Sequence, residues 1–179
     1  YTDGAVQEAV RHIVGVQLRN LATVGGSIYS RFGFSDVLTM FLALNASVEL
    51  YKGGVVPLAE YAQRPYDRDI LVGVLVPKEN ARFVYQSVRN SQTDFPVLTC
   101  AAAKLADGSI RTAIGARPGK AVLYTAAPEA GETAEEFAAR FAAEVKAGIK
   151  TESNLRGSAE YRRHLAGVLT KRAVCRLEG

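Results

Sequence analysis

The chain has 179 residues, 48% of them hydrophobic, and carries 22 Lys+Arg against 18 Asp+Glu for a formal charge of +4. Such a composition excludes a disordered chain and is long enough for one large or two small cores. No run approaches the roughly 18–20 apolar residues of a membrane span, since even Val37 to Ala46 is interrupted by Thr39 and Asn45. Cys100 and Cys175 lie far apart with no C-x-x-C pair, so this chain by itself builds neither a zinc knuckle nor an iron–sulfur site.

With no signal-peptide pattern and few cysteines, a cytoplasmic location is expected. The sequence opens on Tyr1 and contains one methionine, Met40, and reads as a fragment of a longer polypeptide.

In chain order, Val6, Val10, Ile13 and Val14 recur at helical spacing and predict a helix over Ala5 to Val16. The next segment, Gln17 to Ile28, carries paired glycines. Ser35 is a predicted N-cap with Asp36 in the first turn, opening a buried helix that runs to Asn45. Ser47 to Tyr51 alternates and closes on Lys52-Gly53-Gly54, a strand and a turn. The β-branched run Ile70 to Val76, stopped by Pro77, reads as a second buried strand.

Beyond Pro77 the pattern changes. Arg82 to Val88, Val97 to Leu105, Ser109 to Gly115 and Ala121 to Thr125 read as strands, with Asp107-Gly108 as a hairpin signal. Thr133 with Glu136 forms a capping box for a helix that buries Phe137, Phe141 and Val145 and stops near Gly148. The last helix, Ser158 to Leu177, is expected to bury Tyr161, Leu165, Val168 and Leu169. The fold class is therefore α+β: a small mixed unit over residues 1–77, then an antiparallel sheet with two helices over 78–179.

Charge divides along the same line. Residues 1–77 carry a net −1 and the remainder a net +5. Arg156, Arg162, Arg163, Lys171, Arg172 and Arg176 stud the final segment with a single aromatic, Tyr161. Without stacking aromatics or a reading motif, this is a solvated face or a docking face for an acidic partner, and no nucleic acid is expected.

Thr23-Val24-Gly25-Gly26-Ser27 is the segment with the clearest chemistry. Paired glycines allow positive φ and can present successive N–H groups to a phosphate, with Thr23 and Ser27 as hydroxyl donors. No Lys follows the glycines, and G-x-G-x-x-G is absent, so neither a P-loop nor a Rossmann turn is present. The bare alternative is an ordinary turn. Arg89 and Asp94 are expected to pair across a loop, both cysteines to be inert core thiols, and His12 and His164 to have no metal or triad role.

Gln17-Leu18-Arg19-Asn20-x-x-Thr23-Val24-Gly25-Gly26-Ser27-Ile28, Ser35-Asp36, Asp94-Phe95-Pro96-Val97 and Glu152-Ser153-Asn154-Leu155-Arg156-Gly157-Ser158-Ala159-Glu160-Tyr161-Arg162-Arg163 occur in that order. Together they resemble the FAD-binding medium subunits of the molybdenum hydroxylases, the family of carbon monoxide dehydrogenase and xanthine dehydrogenase flavoproteins. The resemblance implies the second half of the FAD-binding domain over 1–77 and the flavoprotein C-terminal domain over 78–179.

It further implies that Thr23, Gly25, Gly26 and Ser27 contact the pyrophosphate and ribityl region. Asp36 would hydrogen-bond cofactor hydroxyls, where the residues alone allow simple helix-dipole compensation. Leu71 would touch the flavin rings. The chain departs from the family at Phe32-Gly33, where relatives carry Ser-Pro or Ala-Pro, and at Gln86, where several place a Lys. It also lacks the family's first subdomain, so FAD is expected in the full-length protein and not in this segment alone. Implied partners are a molybdopterin-binding large subunit and a [2Fe-2S] small subunit, with electrons passing through FAD to an external acceptor. The rival reading is a structural module of such a complex that binds no flavin.

Overall fold

A computed structural model describes residues 1–179. The first part of the chain is a series of short helices. Helix α1 (Ala5–Arg11) ends before the expected Val16, because Val14 enters the left-handed region and Gly15 is extended, so the chain restarts as α2 (Val16–Leu21). Helix α3 (Val24–Tyr29) follows, then α4 (Asp36–Ala43). The Ser35 hydroxyl caps α4 by accepting from the Leu38 N–H at 3.1 Å, and Asn45, with φ of 54°, turns the chain out of it.

A small antiparallel sheet comes next, of strands β1 (Ser47–Leu50), β2 (Gly54–Pro57) and β3 (Leu71–Leu75) in the order β2-β1-β3. A single helical turn, α5 (Leu58–Tyr61), lies between β2 and β3. Strand β3 is not the buried strand its composition predicts. It occupies an edge, with Val72 and Leu75 substantially exposed, since only one neighbour and one covered face are available to it.

The second sheet is an antiparallel meander of β4 (Arg82–Val88), β5 (Leu98–Lys104), β6 (Ile110–Gly115) and β7 (Val122–Ala126). The β5–β6 hairpin turns at Gly108, with φ of 82°, and Asp107 Oδ1 accepts from the Ser109 N–H at 2.9 Å. Helix α6 (Ala134–Gly148) begins at the Thr133/Glu136 capping box, and α7 (Ala159–Glu178) packs beside it.

This sheet is covered on both faces. Phe137, Phe141, Val145, Leu165, Leu169 and Leu177 close one face against Cys100, Ala102, Ile110 and Ile114. Across the other, Val37, Leu38, Met40 and their neighbours on α4 meet Phe83, Tyr85, Ala101, Ala103 and Ala113. The sheet is therefore shared by two cores.

Helix α7 buries Leu165 and Leu169 as expected but departs from the expectation at its first turn. Tyr161 is 45% exposed and Val168 half-buried, while Arg162, Leu165, Ala166, Leu169, Ala173 and Leu177 face inward. The reason is Arg162, whose guanidinium donates to the Val97 carbonyl at 2.9 Å and the Glu152 carbonyl at 2.8 Å, and also to Gly157 O and Asn154 Oδ1. Burial lowers its pKa from the usual arginine value. No helix is long and apolar enough to cross a membrane.

Candidate functional site

Thr23 to Ser27 is not a glycine turn. Gly25 and Gly26 do not take positive φ; they lie in the first turn of α3, where the Thr23 hydroxyl accepts from the Gly26 N–H at 3.0 Å. A capping threonine and no competing strand partner make the helix the easier way to satisfy these amides. The first N–H groups of a helix have no partner within it and point outward with the positive end of the dipole, and here they belong to Val24 and Gly25 on an exposed turn.

Leu71 packs on this turn from β3. A Cβ placed on Gly25 would lie 3.3 Å from Leu71 Cδ2, so the glycine leaves the backbone open beside a half-exposed apolar side chain. The Ser27 side chain, one turn further, lines a cavity of about 190 Å³ together with Ser35, Asp36, Arg89, Phe32, Phe34 and Phe95. All six residues singled out from the sequence thus fall in one neighbourhood: Thr23, Gly25 and Gly26 on the α3 turn, Leu71 against it, Ser27 and Asp36 at the cavity beyond.

Asp36 has more partners than dipole compensation requires. The Tyr85 hydroxyl and Arg89 Nη2 both donate to its Oδ1, from the first strand of the second sheet and the loop after it. Burial raises the Asp36 pKa above the usual carboxylate value, opposed by the Tyr85 hydrogen bond and by the charge and hydrogen bond of Arg89. Burial, and then the neighbouring carboxylate, push the Tyr85 hydroxyl well above its ordinary value. Arg89 is therefore shared between the two parts of the chain.

Sequence reasoning paired Arg89 with Asp94 and missed this arrangement. Arg89 Nη1 does reach Asp94, but at its backbone carbonyl, 2.6 Å away. The Asp94 carboxylate instead takes both Arg156 Nη2, at 2.7 Å, and Nε, at 3.0 Å. Strand alternation held a usable signal: Phe83 and Tyr85 share the face that meets α4, and a tyrosine hydroxyl buried there needs a partner.

The loop between α3 and α4 is held from both ends. Arg31, with φ of 51°, is buried, with its guanidinium 4.0 Å above the Tyr61 ring, and donates to Tyr61 Oη at 2.9 Å and Asp67 Oδ1 at 3.2 Å. Gly33 lies so close to the β6–β7 connection that a Cβ would sit 1.6 Å from the Gly119 carbonyl oxygen. Its own carbonyl accepts from the Ala116 N–H at 2.6 Å. The Phe32-Gly33 departure is thus a built contact.

Among the remaining candidates, Cys100 is buried and its thiol is pushed up to about 12 by burial. Cys175 is exposed, contrary to its expected place in the core. His12 lies 3.9 Å from Glu8. Gln86 points to the α7 side, where its Nε2 approaches the Leu169 carbonyl at 3.5 Å.

Residues 3–79 match the family described as the FAD binding domain in molybdopterin dehydrogenase, and residues 83–177 match the CO dehydrogenase flavoprotein C-terminal domain. The uncharacterized protein YgfM of Escherichia coli (strain K12) is 27% identical over 172 residues, covering 94% of this chain and 63% of its own length. The glyceraldehyde dehydrogenase medium chain of Sulfolobus acidocaldarius is likewise 27% identical, over 94% of this chain and 66% of its own. The chain thus spans less than two thirds of the length of these relatives. Among solved structures, carbon monoxide dehydrogenase from Hydrogenophaga pseudoflava superposes with a TM-score of 0.82 at 24% identity, over 97% of this chain and 67% of that one. Quinoline 2-oxidoreductase from Pseudomonas putida 86 gives 0.79 at 21%, over 95% and 65%. At these identities the superpositions establish a shared fold.

Proposed function

Since the chain belongs to the CO dehydrogenase flavoprotein family, we propose that the full-length protein is the FAD-carrying electron-transfer component of a molybdenum-containing hydroxylase or dehydrogenase. It takes electrons from iron–sulfur centres in a [2Fe-2S] small subunit, fed by a molybdopterin-binding large subunit, and delivers them to an external acceptor. Residues 1–77 act as the second half of the FAD-binding domain and 78–179 as the C-terminal domain.

One observation carries the reading for this chain: the first turn of α3, with the Thr23 hydroxyl and half-exposed Leu71 beside it, belongs to the same helix as Ser27, which lines the Asp36 cavity. That donor set suits the group. The Thr23 hydroxyl proton, the Val24 and Gly25 amides and the Ser27 hydroxyl can all donate toward a diphosphate. Leu71 offers an apolar contact for a planar ring. FAD, when bound, supplies reversible one- and two-electron exchange.

The protein's own contribution is orientation and charge. Arg89 holds the Asp36 carboxylate in place, so that Asp36 can offer an acceptor to a ligand hydroxyl without swinging away. Tyr85 shares that oxygen and stays protonated well beyond neutral pH. The seam between the two parts of the chain, on which the cavity depends, is fastened by the same three residues.

The visible absorbance of the purified full-length protein tests the proposal. Flavin bands and released FAD are expected in the wild type. A Gly25→Val variant, whose side chain would meet Leu71 and cover the amide turn, should lose most of the flavin while keeping its circular dichroism. Full-length protein that neither carries nor takes up FAD would favour the module without flavin.

A further inference from the structure

Three phenylalanines form a ridge beside the candidate site. Phe32 and Phe34 are stacked with ring centroids 5.0 Å apart, and Phe34 meets Phe95 edge-on at 4.6 Å. They remain 50%, 40% and 50% exposed. Single exposed apolar residues are ordinary, but a contiguous aromatic cluster in water is a surface built for contact.

The ridge is also rigid. Arg31 and Gly33, on either side of Phe32, are tied down by the tyrosine-lined pocket and by the Gly119 contact. Phe95 is backed by Arg156, whose guanidinium lies 5.1 Å from the ring centre while it grips Asp94. A ridge held in place before binding loses little conformational entropy when covered. Aromatic and arginine side chains arranged in this way are the usual anchors of protein interfaces.

Charge identifies what covers it. One flank of the ridge lines a groove of about 410 Å³ whose other walls include Arg31, Lys120, Asn154 and Arg156, with no carboxylate among its lining residues. Arg31 and Arg156 have acidic partners in Asp67 and Asp94. Lys120 does not: its Nζ donates to the carbonyl oxygens of Gln63 at 2.6 Å and Arg64 at 2.9 Å. Neighbouring Arg117 likewise donates to the carbonyls of Lys120 and Lys150. Carbonyls satisfy the hydrogens and leave the charge uncancelled. The opposite flank of the same three rings lines the Ser27–Asp36 cavity, so a molecule seated on the ridge lies against the candidate cofactor site.

We infer that the Phe32–Phe34–Phe95 ridge, with the Lys120 groove beside it, is the docking face for an acidic, apolar-studded surface of the subunit that exchanges electrons with the flavin. This rests on the proposed function for the identity of the partner. An apolar side chain of the partner covers the rings while its carboxylates face Lys120 and Arg117.

Association of the full-length protein with its co-expressed partner subunits tests this, with flavin absorbance read on the same samples. Phe32→Ser and Lys120→Glu are each expected to weaken association about tenfold, and the wild-type affinity should fall as salt is added. Lys120→Glu, outside the cofactor site, should keep its full flavin content. Unchanged association in both variants overturns the docking face while leaving the flavin reading intact. A flavin-containing wild type that does not associate also overturns it. Wild type without flavin but with ridge-dependent association instead removes the proposed cofactor role and supports the surface.

Discussion

The two faces of the β4–β7 sheet are covered in contrasting ways. On the outer face, α6 and α7 set large side chains such as Phe137, Phe141 and Leu169 against Cys100, Ala102, Ile110 and Ile114. On the inner face, alanines at 101, 103 and 113 let α4 approach closely, and a carboxylate, a guanidinium and a phenol are enclosed beside them. Apolar volume stabilises the first. In the second, the enclosed polar groups must satisfy one another, and their arrangement holds a cavity at the edge. One sheet thus carries a core on one side and a site on the other.

The strongest challenge to that contrast is truncation on the outer face. Phe137→Ala or Phe141→Ala should cost about 3–5 kcal/mol in urea unfolding, through lost burial and a cavity. Cooperative unfolding at nearly wild-type stability would show that the two-helix layer is not the main support.

A comparable effect from a different cause is expected at the inner seam. Arg89→Met removes the positive partner of a buried carboxylate, at about 3 kcal/mol near neutral pH. The loss should shrink in acid, because protonated Asp36 no longer needs the charge. Burial already raises the Asp36 pKa, and a group raised in this way contributes stability below its unfolded value, lost as pH rises through the folded one. A penalty that is equal at acid and neutral pH would contradict the seam description. Within the same cluster, Tyr85→Phe should cost only about 1 kcal/mol, because Arg89 still serves the carboxylate.

The smallest effect concerns a partly exposed surface network outside both cores. Hydrogen bonding from Arg140, and then from the Glu129 amide, lowers Glu132 from 4.5 to about 2. Its contribution is therefore complete above pH 4.5 and lost as pH falls through about 2. Carbon NMR titration of its carboxylate checks the midpoint, and a Glu132→Gln variant should match the wild type in melting temperature only in strong acid.

The outer layer was the more legible half in the sequence. The Thr133/Glu136 capping box, the Asp107-Gly108 hairpin and the Phe137-Phe141-Val145 spacing each carry their signal within a few residues, and each appears as expected. Ser35 marked the start of α4 in the same local way. The second helix was readable in extent and at Leu165 and Leu169, but not at its first turn, where Arg162 and not Tyr161 is buried. Periodicity places a stripe within a residue or so, whereas the inward turn of Arg162 depends on carbonyls of Glu152 and Gly157 in the loop before the helix and of Val97, 65 residues away.

The sequence by itself determined the α+β class and the main strands and helices of the second sheet's layers. Those are consequences of spacing, caps and turn residues, which act over one or two turns of chain. Only the tertiary structure decided that Gly25 and Gly26 begin a helix, that β3 lies at an edge, and that Arg89 answers to Asp36. It also showed Phe32 and Gly33 building a fixed ridge. The last of these turn on partners tens of residues away, Gly119 for Gly33 and Tyr85 and Arg89 for Asp36, whereas the helix start at Gly25-Gly26 rests on the nearby Thr23 cap. A local pattern can show that a polar group needs a partner or that a glycine permits close approach; which group arrives is set by how the layers meet.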